Sequence, residues 1–264
     1  MAIFKYEMRQ LYSHTLWWGL AVAAFIFFAL PIYMSFMTSD VIDISVMDSS
    51  DLFEMWGFDI TVLTTPIGTL GFLTSFIAIV AGINGMFLGL KTFTKETVQK
   101  SAEFIYTKPY KRSKIFCAKV SAAIIATVII GIFYYIGAIL SAVINIDGGF
   151  DFKVTSLIAL SFMMIGIFFV LFGAFIGAIY SKIRTPLLVS AGTAFMFYAL
   201  SSFANKINIA ELKYLTPYSY FNAGKIIHDG GYDLGYMTAF AVFCIIFTTV
   251  GLWVFVKKDI EFIS

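Results

Sequence analysis

Six long apolar runs constrain this chain more than any other feature of its sequence. They cover residues 16–37, 66–90, 120–146, 154–180, 186–204 and 234–256. Each has about the 20 residues that a helix needs to cross the hydrocarbon core of a bilayer. The runs are continuous rather than alternating, and a helix satisfies its own backbone groups inside lipid. The sequence therefore predicts an all-α polytopic membrane protein with six transmembrane helices in a single domain, residues 1–264.

The composition agrees with a membrane protein and excludes several kinds of site. Of the 264 residues, 60% are hydrophobic and 13% are charged, whereas about 25% are charged in soluble domains. The two cysteines, Cys117 and Cys244, offer neither a disulfide framework nor a metal-ligand spacing. The two histidines, His14 and His228, lie far apart in the predicted topology, so a zinc site or a catalytic histidine pair is not expected.

The distribution of charge predicts the orientation of the chain. Six spans place both termini on one side, and fourteen of the eighteen Lys and Arg residues fall on that side. Eleven of the sixteen acidic residues fall on the other side. Because basic residues concentrate in cytoplasmic loops, both termini are predicted to be cytoplasmic in a cell membrane, most simply a bacterial one.

Two polar segments are predicted to hold helices that lie at the membrane surface. Residues 1–15 place Phe4, Met8 and Leu11 on one helical face, as in an interfacial helix that precedes the first span. Residues 205–233 are too polar for a span but rich in apolar and aromatic groups. They are predicted to form short external helices, at the membrane surface or dipping back into it.

The segment between spans two and three, residues 91–119, is the only long polar segment that is strongly basic. It carries eight of the eighteen Lys and Arg residues and only two acids. Val98, Ala102 and Ile105 follow a helical period, which predicts a short amphipathic helix that begins near Lys95 and is stopped by Pro109. Such a helix can dock on a partner protein or contact anionic lipid, and the residues alone leave both open.

The interior of the spans carries few groups that could do chemistry. Away from their ends the spans have no Asp, Glu, Lys or Arg, which disfavours an ion-coupled secondary transporter. Asn84 is the clearest buried polar side chain, and its residue type fits an inter-helix hydrogen bond better than a substrate contact. No G-x-x-x-x-G-K-[ST] loop occurs, so the chain is not expected to bind or hydrolyse ATP, and no enzyme site is visible.

Pairs of glycines four residues apart allow two helices to approach closely. They are Gly85 with Gly89, and Gly173 with Gly177. Contacts of this kind occur within one protomer or between two, and the spacing does not decide between them.

Three short motifs accompany this topology. The first lies before the third span and comprises Glu96, Ser101, Glu103, Pro109, Arg112, Ile115 and Lys119. The second is Leu-Thr-Pro-Tyr at residues 215–218, and the third is Phe-Val-Lys-Lys-Asp at residues 255–259. In order and spacing the chain resembles the membrane subunits of type-2 ABC exporters, also called ABC-2 permeases. It departs from their common pattern at Lys100 and Lys111, where glycine and serine are frequent.

The resemblance implies a partner and a mechanism. A separate ABC ATPase subunit would bind ATP and Mg, while this chain would bind no cofactor and no nucleic acid. The permease would dimerise, either with itself or with a second permease. The cytoplasmic segment would be the coupling helix that docks on the ATPase, through Glu96, Thr97, Lys100, Glu103, Phe104, Tyr106, Pro109 and Arg112.

The resemblance also implies a route for the substrate. Pro217 and Tyr218 would belong to an external gate, and the pathway would be lined mainly by spans two and five, including Asn84, Phe195 and Tyr198. Permeases of this size export amphipathic peptides, antimicrobial compounds or lipids, and exporters of phenol-soluble modulins are the leading comparison. The alternatives are a membrane scaffold or regulatory protein whose basic loop binds anionic lipid, and an ion-coupled secondary transporter.

Overall fold

The computed structural model describes residues 2–38, 65–98, 111–146, 151–180, 182–207 and 209–257. All regular secondary structure in these ranges is helical. The helices are α1 (Ala2–Thr38), α2 (Pro66–Val98), α3 (Arg112–Asn145), α4 (Phe152–Ile179), α5 (Pro186–Ile207), α6 (Ala210–Lys213), α7 (Pro217–Tyr220), α8 (Ala223–Asp229) and α9 (Leu234–Lys257).

Six of these helices, α1 to α5 and α9, are long and apolar enough to cross a membrane. This confirms the predicted all-α architecture with six spans. The predicted helix bounds agree with the structure where a proline or a helix-capping residue marks the beginning of a helix. Pro66 and Pro186 begin α2 and α5, and the Asp151 side chain caps α4 by accepting from the backbone N–H groups of Lys153 and Val154.

The helix bounds differ from the prediction where polarity changes without a helix breaker. The prediction separated residues 1–15 from the first span, but α1 runs through that point without interruption. Likewise α2 continues past residue 90 to Val98, so no separate helix begins at Lys95. Residues 91–98 contain neither glycine nor proline, so the helix outlasts the apolar run. The α3 helix in turn begins at Arg112, inside the predicted basic segment.

Helices α2 and α4 form the tightest pair in the bundle. A Cβ atom at Gly85 would overlap the carbonyl oxygen of Gly166, and one at Gly173 would lie 2.5 Å from that of Met86. A Cβ at Gly89 would lie 2.7 Å from the backbone nitrogen of Ala174. The sequence did not decide whether these glycine pairs form contacts within one protomer or between two. In the structure they bring two helix backbones together within one protomer.

Helix α1 packs on α3 through one stripe of side chains. The buried residues of this stripe are Glu7, Leu11, Thr15, Val22, Ile26 and Leu30. Phe4 and Met8 pack beside Leu11 against the same core, so the three residues share one face as predicted, but this face contacts other helices. At the far end the Ser141 hydroxyl donates to the carbonyl oxygen of Phe27 at 3.0 Å.

The segment between α5 and α9 contains the predicted short helices and is held by its own caps. The Thr216 hydroxyl accepts from the backbone N–H of Ser219, and the Asn222 side chain accepts from that of Lys225. The Tyr232 hydroxyl donates to the Leu157 carbonyl oxygen at 2.6 Å, which fastens the segment to the first turns of α4. We call this end of the bundle the distal end, and the end that holds Glu7 the basal end.

Candidate functional site

A buried ion cluster joins three helices at the basal end. The Glu7 carboxylate of α1 accepts hydrogen bonds from Lys95 in the last turn of α2 and from Lys119 of α3, the latter at 3.0 Å. The side chains of Glu7 and Lys119 are each 1% exposed, and that of Lys95 is 11% exposed. We call these three residues the basal ion cluster.

Further acceptors complete the cluster. The Lys119 ammonium donates to the carbonyl oxygen of Thr92 at 2.9 Å, and Lys95 donates to the side-chain oxygen of Gln10. A buried charge is tolerated only when it is paired and hydrogen-bonded. Glu7 is thus a carboxylate shared by both ammonium groups.

An aromatic cluster lies next to the ion cluster, with the Lys119 Nζ atom 5.9 Å from the centre of the Phe93 ring. Phe93 of α2, Phe116 of α3 and Phe255 of α9 contact one another, with ring centroids 5.2 to 5.7 Å apart. The Arg112 guanidinium donates to the Val256 carbonyl oxygen at 3.3 Å, so the first residue of α3 also reaches the end of α9. Together the two clusters connect α1, α2, α3 and α9 at one end of the bundle.

The position of these clusters in the chain makes them candidates for coupling. Lys95 lies just before α2 ends, and Lys119 lies two turns after α3 begins. Residues 99–110, which lie between α2 and α3 in the chain, are the central part of the segment predicted to dock on an ATPase. The helices that precede and follow that segment, α2 and α3, are both bonded to the same carboxylate on α1.

The predicted coupling residues other than Arg112 lie where the structure describes no side chains. Glu96 and Thr97 lie in the last turn of α2, but the structure does not describe their side chains. Lys100, Glu103, Phe104, Tyr106 and Pro109 lie outside the described residues. Arg112 is described and contacts α9, as given above.

Sequence reasoning missed Glu7, although a signal for it exists. Glu7 precedes Leu11 and Thr15 at steps of four residues, on the stripe that is buried along α1. An acid on the apolar face of an amphipathic helix requires a buried cation as partner. Lys119 already stood in the motif that resembles ABC-2 permeases, but it had no role in the predicted site.

A cleft with both polar and apolar lining residues lies at the distal end, between α2, α4, α5 and the short helices. It is lined by Thr74, Ser75, Ala78, Ile165, Tyr198, Ser201, Ser202, Asn205, Tyr218, Phe221, Asn222 and Ala223. None of these lining residues is charged. We call this feature the distal cleft.

Tyr218 closes the inner end of the distal cleft. Its ring packs against Phe169 and edge-on against Tyr198, with centroids 5.5 and 5.4 Å apart. Its hydroxyl lies against Gly82, where a Cβ atom would overlap it. This hydroxyl is buried and has no hydrogen-bond partner among the described residues. Burial, reinforced by Tyr198, raises the pKa of Tyr218, so the phenol remains protonated.

The structure brings some of the predicted pathway residues together and separates others. Tyr198 and Tyr218 share the distal cleft, and Pro217 is buried at the first position of α7. Asn84 instead accepts a hydrogen bond from His14 Nε2 at 2.7 Å, which is the inter-helix role favoured by sequence. Phe195 is 56% exposed on the outer surface of α5. Neither Asn84 nor Phe195 lines the distal cleft.

No metal centre is found in the part of the chain that the structure describes. No group of three or more His, Cys, Asp and Glu side chains converges there. His14 lies between the rings of Trp18 and Phe87, and His228 contacts Asp229 at the exposed surface.

Comparison with protein families gives one match that covers almost the whole chain. The family described as "ABC-2 family transporter protein" matches residues 1–260. The chain belongs to the ABC-2 family of transporter proteins. Members of this family are membrane subunits without a nucleotide-binding domain, so membership implies a separate ATPase subunit and a membrane. No curated protein has a significant match to this ABC-2 permease.

Proposed function

We propose that this ABC-2 permease couples ATP hydrolysis on a separate ATPase subunit to the export of an amphipathic peptide, an antimicrobial compound or a lipid. In this proposal ATP and Mg bind to the ATPase, the basal end faces the cytoplasm, and two permeases form a homodimer or a heterodimer. The family supports the class of transporter. The single observation that supports coupling at the basal end is the ion cluster around Glu7.

The basal ion cluster would distribute a displacement of residues 99–110 over three helices. Lys95 and Lys119 flank this segment, and both bind Glu7 on α1. A movement of the segment that carried α2 and α3 without α1 would separate buried charges, which is costly. The lower-energy response is a joint movement of all three helices.

The α2–α4 pair would carry this movement to the distal end. Lys95 and Ser75 lie on the same helix, and their separation of 20 positions spans about 30 Å at the usual helical rise. Backbone contacts at Gly85 and Gly89 keep α4 beside α2 along this distance. The distal cleft lies where the α2–α4 pair meets α5 and the short helices. In this proposal the bundle has two conformations, and nucleotide binding to the ATPase favours one of them.

The proposed external gate consists of Pro217 and Tyr218. The Tyr218 ring lies across α2 at Gly82, so separation of α7 from α2 would uncover the inner end of the cleft. Such a movement would alternate access to the pathway without breaking a hydrogen bond of the Tyr218 hydroxyl, since it has none to the described residues.

Coupling itself can be tested with Arg112. We expect Arg112→Ala to reduce permease-stimulated ATP hydrolysis several-fold, because it removes the hydrogen bond between the start of α3 and the end of α9. The measurement is ATPase turnover of the reconstituted complex, together with co-purification of the ATPase subunit. Arg184→Ala is the matched control, because Arg184 is an exposed arginine in the α4–α5 connection. An ATPase that never co-purifies, with salt-sensitive binding of the chain to anionic vesicles, would favour a lipid-binding scaffold instead.

The gate geometry predicts a specific rescue. Gly82→Ala should destabilise the protein by about 2 kcal/mol, a typical cost of overpacking, because the new methyl group overlaps the Tyr218 hydroxyl. Tyr218→Phe alone should have little effect on stability, and the double variant should recover part of the loss, because the added Cβ atom still lies 3.0 Å from the Phe169 ring. Thermal unfolding of the wild type, the two single variants and the double variant measures the four stabilities. Equal losses for Gly82→Ala with and without the Tyr218 hydroxyl would contradict the assigned contact.

A further inference from the structure

The distal cleft has the features of a binding site for an uncharged ligand. We propose that it binds a neutral hydrogen-bonding group of the exported molecule, an amide or a hydroxyl, and that the Tyr218 hydroxyl is one of its donors. The identification of the ligand as cargo rests on the function proposed above. The binding chemistry itself rests on the cleft alone.

One face of α5 presents polar groups to the cleft. Tyr198, Ser202 and Asn205 follow one another at steps of four and three residues, so they lie on the same side of the helix. All three are partly exposed. Ser202 and Asn205 form no hydrogen bond with the residues that the structure describes, in contrast to Ser201, which bonds to Ser219 at 2.8 Å. The face therefore retains donors and acceptors for a ligand.

The Tyr218 hydroxyl is the second observation that points to a ligand. It is buried, yet nothing in the described parts of the chain pairs with it. Gly82 follows Ser75 and Ala78 on the same face of α2, which places this hydroxyl at the inner end of the cleft. Buried hydroxyl groups without a partner are uncommon because their desolvation is not compensated. A ligand that enters the cleft would supply the missing acceptor.

The composition of the cleft selects the charge of the ligand. The lining contains hydroxyl and amide side chains and no Lys, Arg, Asp or Glu. A charged group placed there would lose its hydration without gaining a counter-ion. Hydroxyl and amide side chains offer both donors and acceptors, as amide and hydroxyl ligands require. Tyr198 and Phe221 add aromatic walls for the apolar part of the same molecule.

The test measures protection of a cysteine placed in the cleft. Cys117 and Cys244 are replaced by alanine and Ser202 by cysteine, in the full-length chain reconstituted in lipid vesicles. The rate of modification by N-ethylmaleimide is followed by mass spectrometry with three probes. The probes are the capped neutral peptide N-acetyl-alanyl-alaninamide, the zwitterion alanyl-alanine and the neutral sugar methyl glucoside.

We expect a neutral probe to slow modification several-fold, and the zwitterion to leave the rate unchanged. Protection by the capped peptide assigns the ligand to amides, and protection by methyl glucoside alone assigns it to hydroxyl compounds. Tyr218→Phe should weaken the protection, whereas Tyr180→Phe, a change at an exposed tyrosine outside the cleft, should not.

Two results would overturn the proposal. One is the absence of protection by both neutral probes, and the other is equal protection by the zwitterion. If Tyr218→Phe is protected as well as the parent protein, the Tyr218 hydroxyl does not bind the ligand. Because the assay contains no ATPase, its failure is distinct from a failure of the complex to assemble or to couple, which the Arg112 experiment reports.

Discussion

Gly89→Ala should cause one of the two largest losses of stability in this protein, about 3 kcal/mol, at the upper end of ordinary overpacking costs. The added Cβ would overlap the Val170 carbonyl oxygen and lie 2.7 Å from the Ala174 nitrogen. Both neighbours are backbone atoms, so no side chain can rotate to make room. The α2–α4 pair would have to separate, and chemical or thermal unfolding in detergent measures the cost.

Gly192→Ala is the matched control for this prediction. Gly192 lies inside α5, and a Cβ there would meet no other atom within 4 Å. The change should therefore be neutral or slightly stabilising, because alanine favours helix over glycine by about 1 kcal/mol. Equal effects of the two substitutions would show that α2 and α4 are not in backbone contact. If Gly89→Ala folds, its ATPase stimulation should also fall, because α2 and α4 no longer move together.

Glu7→Ala should cause a loss of similar or greater size, about 3 to 5 kcal/mol, the usual cost of breaking a buried ion pair from one side. The substitution removes the carboxylate that accepts from Lys119, whose side chain is 1% exposed, and from Lys95. Unfolding measurements test the stability. Glu211→Ala, at an exposed acid of α6, is the control and should change little.

A double substitution separates electrostatics from packing at the same place. Glu7→Leu combined with Lys119→Met removes the most deeply buried pair and keeps apolar volume, so it should be markedly more stable than Glu7→Ala. We nevertheless expect poor coupling in the double variant, seen as low ATPase stimulation with normal co-purification. A double variant as unstable as Glu7→Ala would contradict the assignment of the loss to an unpaired buried charge.

The fold could be predicted far better than the contacts between its helices. A bilayer imposes one dominant requirement on a span, about 20 apolar residues in a helix, and that requirement is visible along the chain. The same signal misplaced the end of α2, because apolar character stops near residue 90 while the helix continues to Val98. Polarity marks where a helix leaves a membrane and not where the helix ends.

The candidate site was only partly predictable for a related reason. The basic segment and Arg112 were recognised in the linear order of residues. Glu7 belongs to the same end of the bundle but is remote in sequence, and its role depends on Lys95 and Lys119 being its neighbours. Neither hydropathy nor motif spacing contains that information.

By itself the sequence determined the class of this protein: six spans, a basic segment between the second and third, and the motifs shared with ABC-2 permeases. Only the tertiary structure decided which helices touch. It assigned the glycines of α2 and α4 to one protomer, joined Asn84 to His14, and placed Tyr218 beside Tyr198 in the distal cleft. The physical reason is that a helix can show an apolar or small-residue face along its sequence, while the identity of the partner depends on the fit between two surfaces.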